Sequence, residues 1–159
     1  MTTVEQPFEK VRRKLVVARI EFMAQLAKFS EEELVKAPAA GGWSALQLAH
    51  HLYIADGLFL EQMQSIQEQD NPLIEDSAMV APRKTEEAET PASLDAVLAG
   101  MAARREEIFE YLSTLSVDTW ERPFRHPAWG QSKFYQLTNL IAAHDHLHTQ
   151  QLADLKAIL

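Results

Sequence analysis

Apolar residues recur at spacings of three and four along most of the chain, and that rhythm predicts four long helices. Phe8, Val11, Leu15, Ala18, Phe22, Leu26 and Phe29 mark the first, from about Pro7 to Lys28, with Pro7 suited to an opening turn where a missing N–H costs nothing. Ser30-Glu31-Glu32-Glu33 reads as a capped helical stub, and Pro38 to Gly42 interrupts the chain before Ser44 and Gln47 form a capping-box pattern. From Ser44 to about Gln69 one stripe holds Leu48, Leu52, Ala55, Phe59, Met63 and Ile66, and a second holds Leu46, Tyr53 and Leu60. A helix apolar on two sides is buried on two sides, by the bundle core and by either another helix or a second subunit.

Asp70 to Ala92 carries Pro72, Pro82 and Pro91 at spacings unsuited to a helix. It reads as a long connection between helices two and three, of the length that commonly forms a lid or a crossover. Ser93 then opens a third helix, with Leu94, Val97, Leu98, Met101, Ile108, Leu112 and Leu115 inward. A loop with Trp120, Pro123, His126, Pro127, Trp129 and Gly130 precedes a fourth helix, about Ser132 to Ile158. With no strand pattern that convinces, the expectation is all-α: a four-helix bundle with a long connection between helices 2 and 3, one domain over residues 1–159.

Chemistry enters on the fourth helix. His144 and His148 stand one turn apart, and Leu137, Ile141, Leu152, Leu155 and Leu159 place the pair on the inward face. Two convergent imidazoles at that spacing suit a shared divalent cation. Spacing alone is weak evidence, since six His in 159 residues give about 0.2 such pairs by chance. Asp145 and Leu147 stand where a zinc-protease pattern would need Glu, so that class is excluded. The plain alternative is two core histidines hydrogen-bonded to backbone or carboxylate. A third ligand would decide between the two, and the second helix offers adjacent His50 and His51. With Leu48 as the centre of the inward stripe, His51 lies about 60 degrees away and His50 about 160 degrees, which selects His51. His51, His144 and His148 would form a three-histidine site between facing helices, with a position left for water or substrate.

Composition narrows the rest. The chain has no Cys, so thiolate sites, iron–sulfur clusters and disulfides are out, and a metal must be held by His, carboxylate or water. Fifteen basic against 23 acidic residues leave a net charge of −8, the wrong sign for gripping a phosphate backbone, so no nucleic-acid partner is expected. The charged stretch from Met1 to Lys14 lacks an apolar export segment, and nothing approaches 18 uncharged apolar residues; a cytoplasmic protein without membrane contact is expected. His50 is expected at a surface or interface, His146 in solvent, His126 in a turn near the pocket mouth, and Trp43, Trp120 and Trp129 as core or loop anchors. The Glu86-Glu87-Ala88-Glu89 run reads as a solvated loop face.

Trp43-Ser44, the His50-His51-Leu52 step, the His126-Pro127-Ala128-Trp129-Gly130 loop, and His144-Asp145 with His148 and Gln151-Leu152 together resemble the DinB-like superfamily. These are four-helix metalloproteins that include bacillithiol transferases and mycothiol-dependent maleylpyruvate isomerases. The resemblance spans the chain from first helix to last. It implies a divalent transition metal, zinc or nickel first and iron or manganese as alternatives, on His51, His144 and His148, and a homodimer whose partner would cover the second face of helix two. It further implies a metal-dependent enzyme acting on a small-molecule substrate, of thiol S-transferase type, with a low-molecular-weight thiol as a second cofactor. The alternatives are a metal-dependent hydrolase and a non-catalytic metal-binding stress-response or interaction dimer. Hydrolysis needs a general base near the open position, for which Asp56 and Asp145 are poorly placed.

Overall fold

The computed structural model describes residues 6–159. The first residues of the charged N-terminal stretch, 1–5, lie outside that description. Helix α1 spans Pro7–Leu26, the stub α2 Glu31–Leu34, and α3 Ala45–Glu68. Both α2 and α3 open with reciprocal capping boxes: Ser30 and Ser44 accept from the backbone N–H three residues on, and Glu33 and Gln47 accept from the capping residue's own N–H. Then come α4 (Ser77–Glu87), α5 (Leu94–Ser113), a 3₁₀ turn (Val117–Glu121), strands β1 (Pro123–His126) and β2 (Gly130–Lys133), and α6 (Phe134–Ile158).

The bundle is α1, α3, α5 and α6, as the periodicity predicts. Its topology explains the long connection. Tyr53 meets Gly100 and Arg104, Asp56 meets Arg105, and Gln67 accepts from Tyr111, so α3 and α5 run parallel. Parallel neighbours require the chain to travel back the full length of α3, about 36 Å at 1.5 Å per residue. The second apolar face of α3 is thus covered by α5 of the same chain, with the Arg104 guanidinium over the Tyr53 ring at 4.5 Å.

Two expectations are corrected. The connection is not free of helix: Asp76 caps α4 by accepting from Ala78 N, and Pro82 sits inside it. Proline there removes one backbone bond, and packing against α3 together with the cap outweighs that loss. Nor is the chain free of strands. His126-Pro127-Ala128-Trp129-Gly130 is the tip of an antiparallel hairpin with His126 opposite Gly130, and Gly130 adopts the left-handed φ of 74° that closes a three-residue loop. The strands are only four residues each, too short for an alternating pattern to show. Arg125 also exchanges backbone hydrogen bonds with Pro72 and Ile74, at 2.8 and 3.0 Å, which ties the start of the connection to the hairpin.

The core is divided. One apolar cluster gathers around Leu15, Phe59, Ile108 and Ile141, the other around Phe22, Leu48, Met101 and Leu152. Between them each long helix contributes one charged residue: Arg19, Asp56, Arg105 and Asp145. Arg19 bridges both carboxylates at 3.0 and 3.2 Å, and Arg105 bridges both at 3.1 Å. Burial pulls the Arg19 guanidinium towards neutrality, but the two carboxylates more than offset it, so it stays charged. Removing one member leaves a buried unpaired charge, at a cost of about 3–5 kcal/mol. Asp145→Ala is therefore expected to lower unfolding free energy in urea by about that amount, whereas Glu121→Gln, at the exposed ion pair with Lys133, should cost below about 1 kcal/mol.

Candidate metal centre

The stripe that carries α6 through the bundle brings His144 and His148 to face His51 of α3. Their Nε2 atoms converge: His144 Nε2 lies 3.1 Å from that of His51 and 3.0 Å from that of His148, and the three ligand atoms are all within 4.8 Å of one another. The outer nitrogens fix the tautomers. Thr85 spends its hydroxyl proton on Ala81 O, so it accepts from His51 Nδ1–H at 2.8 Å. His148 Nδ1–H donates to Gln151 Oε1, also at 2.8 Å. Both Nε2 atoms therefore present lone pairs, and His144 can supply at most one proton to the two contacts. Three nitrogens with so little hydrogen between them make an electron-rich cluster, a donor set that can hold a metal ion.

Electrostatics keep the cluster neutral. Burial first, and then the neighbouring imidazoles, push His51 down to about 3. Burial, His148 and the guanidiniums of Arg19 and Arg105 do the same to His144, also to about 3. Burial lowers His148 as well, partly offset by Gln151 and Asp145. Metal-ligating imidazoles must be unprotonated, so these shifts favour ligation.

The cluster forms one wall of a cavity of about 570 Å³. Trp43 packs on His51 at 4.7 Å, while Phe59, Leu140, Ala143 and Leu147 give apolar walls. The rim comes from the two segments that broke expectation: Asp76, Ser77, Ala78 and Pro82 of the connection, and His126, Ala128 and Trp129 of the hairpin. His126 is 4% exposed, and its Nδ1 accepts from both Ala128 N (3.0 Å) and Trp129 N (3.2 Å), which leaves the proton on Nε2. Its ring stacks on Trp129 at 3.9 Å and 11°. Burial keeps it neutral despite Asp76 3.7 Å away.

His51, His144 and His148 thus come together as expected, His126 reaches the cavity, and His146 sits in solvent beside Glu21. His50 is not at the surface: it is buried on the second face of α3, stacked on Tyr53. Trp120 is a core anchor, but Trp43 and Trp129 line the cavity, the latter 43% exposed at its mouth. Asp56 and Asp145 are tied to arginines and face away from base chemistry. Sequence reasoning missed Thr85, and it named Gln151 only within the family pattern, not as the partner of His148. It also missed Arg105, although the gap between Met101 and Ile108 in the α5 stripe falls on it.

Fold and cluster define a class: a parallel-paired four-helix bundle with three histidines converging beside an apolar cavity. The chain belongs to the DinB superfamily, whose family model matches residues 14–152. It is 24% identical over 151 residues to the uncharacterized protein YuaE of Bacillus subtilis, covering 87% of this chain and 93% of YuaE. Among solved structures it is similar to YfiT of Bacillus subtilis, described as "a probable metal-dependent hydrolase with an unusual four-helix bundle topology". That likeness has a TM-score of 0.75 at 18% identity and covers 99% of this chain and 90% of YfiT. A mycothiol-dependent maleylpyruvate isomerase is similar too, with a TM-score of 0.66 at 16% identity over 96% of this chain and 63% of the isomerase. At such identities the structures establish the shared fold.

A pH signature follows from the neutral imidazoles. His51 and His144 sit at about 3 when folded against the usual 6.5, so between those values the unfolded chain binds more protons and acid destabilises. Metal-free wild type should lose more stability from pH 6.5 to 4 than a His51→Gln/His144→Gln double variant, and the two should run parallel above pH 7. Urea midpoints across that range provide the check.

Proposed function

We propose that the chain is a metal-dependent enzyme in which His51, His144 and His148 hold a divalent transition metal and a low-molecular-weight thiol is transferred to an electrophile in the adjoining cavity. The convergence of three Nε2 atoms, two of them with lone pairs free, carries this reading. Their separations of 3.0 and 3.1 Å are close to the about 3.3 Å between ligands in tetrahedral zinc, and an all-imidazole set suits zinc, nickel or iron rather than magnesium or calcium. The cation, when bound, supplies Lewis acidity that deprotonates a coordinated thiol or acidifies water.

The residues around the cluster favour thiol over water. A thiol starts near a pKa of about 8.5 and needs no strong base in the pocket. Hydrolysis also calls for a general base to move protons at the attacking water, and Asp56 and Asp145 are held by Arg19 and Arg105. Thr85 and Gln151 orient His51 and His148, Trp43 and Phe59 exclude solvent, and the apolar walls accept an electrophile's carbon body. Hydrolysis is the second reading, favoured by the likeness to YfiT and by Asp76 beside His126 on the rim.

Elemental analysis of untagged protein is expected to find about one transition metal per chain, reduced at least tenfold in affinity by His51→Ala, His144→Ala or His148→Ala. A metal-loaded sample should conjugate small thiols to a chlorobimane electrophile, and each variant should lose that activity. Ester cleavage independent of thiol would select the hydrolase instead; metal uptake with neither turnover would leave a metal-binding module. Protein that stays metal-free after incubation with zinc, nickel and manganese sinks the reading altogether.

A further inference from the structure

The rim of the cavity holds a donor and an acceptor that have not met. His126 Nδ1 is saturated by two backbone N–H groups, so Nε2–H is locked as the donor and the ring has no rotational alternative that keeps both bonds. Among the described residues that N–H has no hydrogen-bond acceptor within 3.5 Å; the nearest carboxylate oxygen, Asp76 Oδ1, stands at 3.7 Å and already accepts from Ala78 N at 3.0 Å. Both side chains border the cavity, and His126 is buried. The Nε2–H is not closed off in packed protein but opens on the cavity, so a ligand group that accepts from it can take the place of solvent there.

The surroundings specify what that is. No lysine or arginine lines the cavity among the described residues, and Asp76 is its one carboxylate there, so an anionic ligand group at the rim meets repulsion. A group that accepts from His126 and donates to Asp76 at once satisfies both. Trp129, stacked parallel to His126 and open to solvent, offers a flat face beside that pair, and about 570 Å³ takes a two-ring body.

We propose that His126 and Asp76 form a specificity element for a neutral aromatic substrate bearing a carboxamide, the carbonyl accepting from His126 Nε2–H and the amide N–H donating to the Asp76 carboxylate. This rests on the reading of the cavity as a substrate pocket, and it is independent of what the histidine cluster holds. His126 touches the substrate, whereas Trp129 positions His126 by stacking.

The test uses three probes with one body: 2-naphthamide, 2-naphthoate and 2-methylnaphthalene, titrated calorimetrically against zinc-loaded and against chelator-treated full-length protein. The amide is expected to bind about tenfold tighter than the hydrocarbon, and the carboxylate no tighter than the hydrocarbon, in the metal-free sample. His126→Phe, which keeps a ring to stack on Trp129, should erase the amide's advantage and leave 2-methylnaphthalene unchanged, which shows the pocket intact. Asp76→Asn, a cap-competent replacement, should narrow the gap between amide and carboxylate. Equal binding of all probes, or an amide preference untouched in His126→Phe, overturns the proposal. A carboxylate preference in the metal-free sample also overturns it; one seen only with zinc, beside an amide preference without zinc, supports the metal reading and the specificity element together. If zinc fails to bind but the amide preference holds, the specificity element survives and the metal reading fails.

Discussion

The structure depends on a neutral quartet of charges closed in the middle of the bundle. Arg19, Asp56, Arg105 and Asp145 come one from each long helix; the two carboxylates and Arg105 are buried, and Arg19 keeps only a small part of its side chain in water. Desolvating four ions is expensive, and the arrangement is tolerable only because each guanidinium reaches both carboxylates. A helix that slid by one residue would turn its charge by about 100 degrees and strand the other three. The quartet therefore fixes the register of all four helices more sharply than the apolar clusters on either side, which tolerate exchange of one aliphatic group for another.

Register is what the histidine cluster requires. His144 and Asp145 are neighbours on α6, and His51 precedes Asp56 on α3 by little more than one turn, so fixing the carboxylates fixes the imidazoles. The coupling is also electrostatic. The guanidiniums of Arg19 and Arg105 help hold His144 neutral, so the quartet keeps lone pairs available in the cluster it positions. Because the quartet's own charges cancel, it neither repels nor neutralises a divalent cation strongly. Three uncharged imidazoles leave such a cation's charge unmatched, a condition that favours an anionic fourth ligand, and a thiolate meets that condition.

The helices and the cluster were legible for the same reason: both are written at the helical period. His51, His144 and His148 lie on stripes whose apolar members identify the inward face, and Ser44 with Gln47 marks where α3 begins. The rim was not legible because nothing in it is periodic. Pro82 argues against the helix that contains it, and the four-residue strands are set by a glycine at positive φ and by pairing with Pro72 and Ile74, contacts distant in sequence. The ion pairing of Arg105 and Asp145 was hidden differently. Each occupies a core position in an apolar stripe, and a charge at such a position declares itself only when its partners on other helices are known.

The irregular rim is tied to the histidine cluster by the hydrogen bond from His51 to Thr85. Thr85 lies near the end of α4, whose start carries Asp76 and whose middle carries Pro82 on the cavity wall. A ligand that shifts the α4 side of the rim acts on the hydrogen bond that Thr85 accepts from His51 Nδ1–H. The same helix thus shapes the cavity at one end and orients a cluster imidazole at the other. An acceptor lost from a buried imidazole N–H costs about 1–3 kcal/mol, enough for occupancy of the rim and the basicity of His51 to be felt by one another.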